Sequence, residues 1–433
     1  MQVYHRQASQ SISDHNFSSQ IRELTLLDLQ EVVKGRFSSF CTVVGLQALM
    51  TLMDQDVATV AGPKGKHDAN RTAYRHGFQD TTVPMGNQRI AIKRPRVRST
   101  LTNEELPIPS YETFANDDEL LEAALNRMLY GMSTRDYRHG IEDYTDLVET
   151  SGTSKSAVSK RFIKASAQEA EKVLSRRFDE ETFSVLMIDG IGFGDYTAIV
   201  AMGLTREGHK IIMGVRIGST ENAQVCRDLL TDLIDRGLRY EDGLLAVIDG
   251  SKALRKALKD VFGRNVLIQR CQVHKMRNVL DYLPKHKRDW VKRKLRKAWT
   301  SENAAEATRQ LRSLATSLQT QYPDAAASLR EGLEETVTIL RLNVPGLLRK
   351  SLRSTNAIES AFSMIGKNIR NVKNWKNGTM VQRWACTALL DAESRANRIA
   401  GYRSMGILIA EVKRLTAEGK EDVDDIENES KTA

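Results

Sequence analysis

The 433-residue chain is longer than one hydrophobic core usually serves, and its 41% hydrophobic content is enough to bury sizeable cores. These values exclude a disordered chain and predict about two to four folded domains. Lysine and arginine outnumber aspartate and glutamate by 64 to 55. That excess suits a polyanionic partner but is equally compatible with an ordinary basic enzyme, so the net charge alone decides little.

The sequence shows no pattern typical of a secreted or membrane protein. Its four cysteines follow no disulfide spacing, and we find neither a charged-then-apolar leader nor an apolar run of membrane-spanning length. We therefore expect a soluble, intracellular protein in a reducing compartment, with no membrane partner.

The first 110 residues divide into a helical part and a basic part. Apolar residues at helical spacing between Leu24 and Leu52 predict an N-terminal helical region over residues 1–60. Alternating apolar and polar residues around Gly86-Asn87 predict a hairpin within a basic β arm, residues 61–110. The basic excess of this arm predicts a surface that attracts phosphate. Its candidate contact residues are Lys64, Lys66, Arg71, Arg75, Arg94 and Arg96.

Helical spacing returns in residues 111–178. A capping-box pattern at Ser133 to Asp136 predicts one helix, and Ser154 predicts the start of another. On the second helix the apolar residues share one face and the basic ones point outward, as on a major-groove recognition helix, although any amphipathic basic helix looks similar. We interpret residues 111–178 as a helix-turn-helix domain. Its candidate DNA contacts are Ser154, Lys155, Ser156, Ser159, Lys160 and Arg161.

From residue 179 the pattern becomes mixed α/β. Apolar runs predict three strands, a helix, a strand, a helix and a strand, which is the element order of an RNase H-like fold. We therefore predict a multidomain α+β or α/β protein whose RNase H-like domain has a first part, residues 179–280, and a second part with C-terminal helices, residues 346–418. An all-helical insertion, residues 281–345, separates them, and an acidic tail, residues 419–433, follows.

Two aspartates stand where predicted strands end. Asp189 follows the run Leu186 to Ile188, and Asp249 follows Leu244 to Ile248. A single Asp-Gly is usually a turn or a helix cap, but the predicted topology brings these strands side by side, so both carboxylates would emerge at one sheet edge. Carboxylates converging from separate segments are what two-metal phosphodiester cleavage needs.

Four motifs in this order resemble the Mutator-type bacterial insertion-sequence transposases, over about residues 60–400. They are Asp189-Gly190, Asp249-Gly250-Ser251-Lys252, Cys271-Gln272-Val273-His274-Lys275-Met276-Arg277-Asn278 and Ser354-Thr355-Asn356-Ala357-Ile358-Glu359-Ser360. The resemblance implies the DDE triad of RNase H-like transposases, carried here by Asp189, Asp249 and Glu359. It also implies two Mg²⁺ ions as cofactors, for which Mn²⁺ may substitute.

The same resemblance implies residues that support the triad. Cys271 and His274 are expected to orient the substrate or to brace the insertion, but a buried cysteine with a capping histidine is an open alternative, and a complete zinc finger is not expected because no second ligand pair follows. The resemblance also implies a basic residue two turns after Glu359. Gly366 occupies that position here, so the role is assigned to Lys367 or Arg370. The remaining support residues are Arg277, Asn278 and Asn356.

These observations predict a magnesium-dependent transposase. We expect it to bind the terminal inverted repeats of an insertion sequence and target DNA, as a homodimer or larger assembly, in the bacterial cytoplasm near the nucleoid. Two alternatives remain: a catalytically inactive, transposase-derived DNA-binding regulator, and an RNase H-like repair or junction nuclease. DNA cleavage separates the regulator from the enzymes, and joining separates the transposase from the nuclease.

Overall fold

The computed structural model describes residues 37–66, 71–141, 148–218 and 222–432. The described residues form two compact units, one within residues 1–128 and 132–165 and the other within residues 129–131 and 166–433. Both α and β structure are present, so a multidomain α+β protein is confirmed at this level. The part of the predicted N-terminal helical region before residue 37 lies outside the described residues.

The first unit is built on a long hairpin. Strands β1 (Ala73–Met85) and β2 (Gln88–Ser99) are antiparallel, and both turn residues between them, Gly86 and Asn87, have positive φ. Glycine and asparagine tolerate this conformation, so the predicted hairpin and its turn are confirmed. Two short strands, β3 (Glu105–Leu106) and β4 (Thr150–Ser151), pair with β2.

Helices complete the first unit. Helix α1 (Phe37–Ala61) packs Leu49 and Met53 against Val83 and Ile90 of the hairpin. The helices that follow are α2 (Pro109–Phe114), α3 (Asp118–Leu129) and α4 (Lys155–Leu174), of which α4 continues past residue 165. The Ser154 hydroxyl accepts a hydrogen bond from the amide of Ala157, so the predicted cap of α4 is confirmed.

The helix predicted after Ser133 is wrong within the described residues. Ser133 Oγ accepts hydrogen bonds from the amides of Arg135 and Asp136 and donates to the Asp136 carboxylate. The capping groups therefore close a local turn, which a 3-10 turn at Tyr137–Gly140 continues. Residues 142–147 lie outside the described part of the chain.

A five-stranded mixed sheet is the centre of the second unit, with spatial order β7-β6-β5-β8-β9. The pairs β5–β6 and β6–β7 are antiparallel, whereas β5–β8 and β8–β9 are parallel. The strands are β5 (Phe183–Phe193), β6 (Tyr196–Thr205), β7 (Lys210–Gly218), β8 (Leu244–Ile248) and β9 (Val266–Arg270). The predicted succession of elements is confirmed.

Two helices, α5 (Ala223–Asp235) and α6 (Lys252–Phe262), bury their apolar faces in the core of this sheet. Helix α5 begins at Ala223, because the Asn222 side chain accepts the hydrogen bond of the Val225 amide and so caps the helix.

A helical segment between β9 and the C-terminal helices has its own hydrophobic core, which runs from Val279 to Leu340. Its helices are α7 (Gln272–Asp281), α8 (Lys285–Trp299), α9 (Ala304–Leu318), α10 (Pro323–Arg330) and α11 (Thr338–Arg341). The segment returns beside its starting point, since Thr338 Oγ1 donates to the Ile268 carbonyl and the Ile339 amide donates to Gln269 Oε1. Both ends are thus fixed to β9.

The chain then forms four further helices: α12 (Gly346–Leu352), α13 (Asn356–Asn368), α14 (Gly378–Ser394) and α15 (Met405–Thr432). Helix α13 packs against β5 and α14, and α14 packs against β6 and β7. Helix α15 continues through the segment predicted as an acidic tail. Among the residues described, no helix has both the length and the apolar character needed to cross a bilayer.

Candidate active site

Asp189 and Asp249 lie on neighbouring parallel strands. Ile188 of β5 is paired with Ile248 of β8, so the two aspartates follow at the same level of the sheet. The prediction that Asp189 ends its strand is wrong, because β5 runs on to Phe193 by pairing with β6, beyond the point where β8 stops. The prediction that both carboxylates meet at one place is unaffected, since it depends on the parallel pair.

Each of these carboxylates is held by a backbone amide close to it in the chain. The Gly190 amide donates to Asp189 Oδ1 at 2.9 Å, and the Ser251 amide donates to Asp249 Oδ1 at 2.8 Å. Gly250, between Asp249 and Ser251, has φ +111°, and a Cβ on it would lie 2.3 Å from Arg270 Nε. Only glycine fits this turn, so the backbone itself sets where the Asp249 carboxylate points.

The third carboxylate reaches the site from the first turn of α13. Glu359 Oε1 accepts a hydrogen bond of 2.7 Å from the Thr355 hydroxyl and lies 3.9 Å from His274 Nε2. Thr355 is the N-terminal cap residue of α13, yet its hydroxyl makes no capping bond, because it faces Glu359 instead. The orientation of Glu359 therefore depends on side chains, unlike that of the two aspartates.

Cys271 connects the second and third carboxylates. Its amide donates to the Ile248 carbonyl, next to Asp249, and its Sγ accepts the amide of His274 at 3.5 Å. The Thr355 hydroxyl lies 3.4 Å from the same sulfur. The alternative of a buried cysteine with a capping histidine is confirmed for the cysteine only. Cys271 is buried and is itself the cap of α7, whereas the His274 side chain lies beside Glu359.

Burial and mutual repulsion perturb the charges of this cluster. Desolvation and the nearby charges of Asp249 and Glu359 raise the pKa of Asp189 to about 7. The interaction with Cys271 and the charges of Asp189 and Glu359 outweigh burial and raise the pKa of His274 to about 9. Three carboxylates, one of them buried, form a set of hard oxygen donors, and such a set fits divalent metal ions such as Mg²⁺.

The other predicted support residues have side chains that are open to solvent. Arg277 and Asn278 are exposed on α7, Asn356 is exposed at the start of α13, and Lys367 and Arg370 are exposed at its end. They have the accessibility that contacts with DNA require, but their roles stay predictions.

The predicted DNA-contacting residues of the first unit differ in their exposure to solvent and in whether they already bind other groups of the protein. Arg94 and Arg96 both form ion pairs with Glu105, and Arg161 is half-buried and donates to the Gly152 carbonyl at 2.7 Å. Ser159 is also half-buried. The exposed members of the set are Lys64, Lys66, Arg71, Arg75, Ser154, Lys155, Ser156 and Lys160.

Sequence reasoning missed two residues of the site. Thr355 was part of a quoted motif but received no role, although a threonine four residues before a glutamate on a helix could have indicated the contact. Arg270 is buried, packs over Gly250, and donates to the Glu331 carbonyl. No local pattern marks it, because its contacts come from distant segments.

Comparison with known proteins identifies the family of this chain. Residues 19–397 match the family model described as "Transposase, Mutator family". The chain is 28% identical over 349 residues to the transposase for insertion sequence element ISRM5 of Rhizobium meliloti, which covers 77% of this chain and 84% of that protein. It is 26% identical to the transposase for IS256 in transposon Tn4001 of Staphylococcus aureus, covering 74% of this chain and 82% of that protein.

A shorter match is closer in sequence. The transposase for insertion sequence element IST2 of Acidithiobacillus ferrooxidans is 32% identical over 176 residues, 41% of this chain and 58% of that protein. Because the family model spans most of the sequence, the chain belongs to the Mutator family of transposases.

Proposed function

We propose that this chain is a DNA transposase that binds the terminal inverted repeats of an insertion sequence and catalyses metal-dependent strand cleavage and strand transfer. The observation that carries the proposal is the convergence of Asp189, Asp249 and Glu359: burial, together with the charges of Asp249 and Glu359, raises the pKa of Asp189 to about 7. Family membership supports the same conclusion.

The catalytic unit is, in this proposal, an RNase H-like domain interrupted by the helical segment between β9 and α12. The sheet order, with an antiparallel set of three strands followed by two parallel strands, supports it. So does the placement of Asp189 and Asp249 on adjacent parallel strands, with Glu359 on a helix that packs against β5.

The three carboxylates would hold two magnesium ions, for which manganese can substitute. When bound, such ions stabilise the attacking and leaving oxygens of a phosphodiester. The protein's own part is to fix its ligands: Gly190 and Ser251 amides hold the aspartates, and Thr355 holds Glu359. Water attacks in the cleavage step and a DNA 3′-hydroxyl attacks in the joining step, so no covalent protein intermediate is needed.

DNA recognition is assigned to the first unit. Exposed lysines and arginines of the β arm contact phosphates, and the exposed Lys155, Ser156 and Lys160 of α4 face the inverted repeat. The half-buried Arg161 instead holds the turn before α4. Joining two element ends to one target requires both ends in one complex, so we propose a dimer or a larger assembly.

The test is cleavage and joining of a labelled inverted-repeat end with Mg²⁺, Mn²⁺ or EDTA. We expect metal-dependent activity that falls by at least about 10³-fold in Asp189→Asn, Asp249→Asn and Glu359→Gln. Two matched controls should retain activity: Asp195→Asn, which changes an exposed aspartate in the turn after β5, and Glu302→Gln, which changes an exposed glutamate.

Specific binding without cleavage would indicate the regulator, and cleavage without joining would indicate the nuclease. Activity that survives in any of the three triad variants would exclude that carboxylate from catalysis.

A further inference from the structure

Three side chains of different chemistry meet beside the carboxylate cluster. One ligand atom each from Cys271, His274 and Glu359 lies within 4.8 Å of the other two. The sulfur and the imidazole come from the first turn of α7, and the carboxylate comes from the first turn of α13. The set thus offers sulfur, nitrogen and oxygen donors from two helices whose ends are already fixed to each other through Thr355.

This donor set differs in kind from Asp189 and Asp249. Magnesium prefers hard oxygen ligands, whereas a thiolate with an imidazole favours softer ions such as zinc. Zinc is usually bound by four ligands, and three protein ligands with one open position define a reactive or exchangeable site. Here Cys271 is fully buried, while the His274 and Glu359 side chains are 25% and 30% exposed, so the cluster opens to solvent on one side.

The surroundings of Cys271 suit a thiolate ligand. The His274 amide donates to its sulfur, and a backbone donor of this kind stabilises a metal-bound thiolate; the Thr355 oxygen lies 3.4 Å from the same sulfur. His274 Nδ1 is buried and has no hydrogen-bond partner within the described part of the chain. That nitrogen is therefore not committed to a hydrogen bond with the described part of the protein.

We propose that Cys271, His274 and Glu359 bind one transition-metal ion of the zinc class, with water in the fourth position. Binding needs a thiolate and a neutral imidazole, so the protons that Cys271 and His274 carry are released to solvent. Because Glu359 also belongs to the proposed magnesium set, an ion bound here withdraws that carboxylate from catalysis. This consequence, though not the binding itself, depends on the proposed function, and it makes zinc an inhibitor of cleavage.

The test uses the full-length protein, freed of metal by chelation and titrated with Co²⁺, whose thiolate complexes give a charge-transfer absorption band. We expect about one equivalent to produce the band, which Zn²⁺ then abolishes and excess Mg²⁺ does not. The band should disappear in Cys271→Ser, and the affinity should fall at least about tenfold in His274→Gln and Glu359→Gln. Cys41→Ser, which removes an exposed cysteine in α1, and Asp249→Asn should keep the band.

Absence of the band in the parent protein, or its persistence in Cys271→Ser, would overturn the site. X-ray absorption at the zinc edge provides a measurement that needs no variant: a shell containing one sulfur is expected, and a shell of oxygen and nitrogen alone contradicts the proposal. Circular dichroism of each variant checks that it has folded.

Cleavage assays test the consequence separately. Stoichiometric Zn²⁺ should inhibit magnesium-dependent cleavage, and the ratio of activities with and without Zn²⁺ should be closer to one in Cys271→Ser. Unchanged cleavage would show that Glu359 is not shared. If the protein binds Co²⁺ through Cys271 but does not cleave DNA, the metal site is confirmed and the proposed function is wrong.

Discussion

The strand-borne and the helix-borne carboxylates of the site are positioned in different ways. Asp189 and Asp249 accept bonds from amides one and two residues further along the chain. Glu359 is held by the Thr355 side chain, which in turn contacts Cys271 from a distant segment. Two members of the triad therefore depend on local backbone geometry and the third on side-chain contacts, so they should fail under different substitutions.

The largest effect is expected where the backbone sets the geometry. Gly250→Ala places a Cβ 2.3 Å from Arg270 Nε at a residue with φ +111°, and the strained turn would move the Asp249 carboxylate. We expect cleavage to fall by about 10² to 10³-fold, since shifts near 1 Å have such costs, and stability to fall by about 1 to 3 kcal/mol. Single-turnover cleavage and thermal melting measure the two effects.

Gly192→Ala is the matched control, because a Cβ at Gly192 would meet nothing within 4 Å. If Gly250→Ala cleaves as fast as Gly192→Ala, the backbone does not control Asp249.

A smaller loss is expected when the support of the helix-borne carboxylate is removed. Thr355→Val keeps the shape of this fully buried residue but deletes the hydroxyl that donates to Glu359 Oε1. We expect cleavage to fall by about 10 to 100-fold and the Mg²⁺ concentration for half-maximal activity to rise, as for other groups that orient metal ligands.

Thr355→Ser restores the hydroxyl and should recover most of the loss. A reduced rate with an unchanged Mg²⁺ requirement would contradict a role in orienting Glu359 and indicate a packing defect.

The smallest expected effect is a gain rather than a loss: a substitution at Asp189 should stabilise the folded protein when no metal is bound. The pKa of Asp189 is raised from 3.8 to about 7 in the folded protein, first by burial and then by Asp249, so the folded state binds the proton more tightly than the unfolded state. The stability that this proton gives is complete below pH 4 and is lost as the pH rises through 7.

Asp189→Asn should therefore be more stable than the parent protein at pH 8 in EDTA, by about 1 to 2 kcal/mol. This gain is smaller than the pKa shift of Asp189 implies, because burying an amide also costs free energy. The advantage should shrink at pH 5. Melting curves at both pH values measure it, and an advantage that is independent of pH would show that Asp189 is not the group responsible.

The same division explains what could be predicted from the sequence. The strand β8 and the Gly86-Asn87 turn were predictable because their signals lie within a few residues. The meeting of Asp189 with Asp249 followed from the predicted order of elements, which brings β5 and β8 side by side. The helix after Ser133 was predicted wrongly because its capping pattern also fits the turn that Asp136 closes.

The position of Glu359 came from the family resemblance, since a glutamate on a helix carries no signal of its own. Arg270 and Lys275 could not be foreseen as buried residues either. Their partners, the carbonyls of Ser328 and Glu331, lie in the helical segment that folds back on β9, and no local pattern reports such contacts.

That helical segment leaves the sheet at β9 and is fixed to the same strand where it returns, through Thr338 and Ile339. An insertion whose two ends lie close together can change length during evolution at little entropic cost, roughly 0.6 kcal/mol for each doubling of a flexible loop. Its removal would nevertheless leave Gln269 and Arg270 of β9 without partners, because their buried side chains donate to the segment's carbonyls at Thr336 and Glu331. A minimal version of the enzyme would therefore need apolar replacements at both positions, together with a short linker.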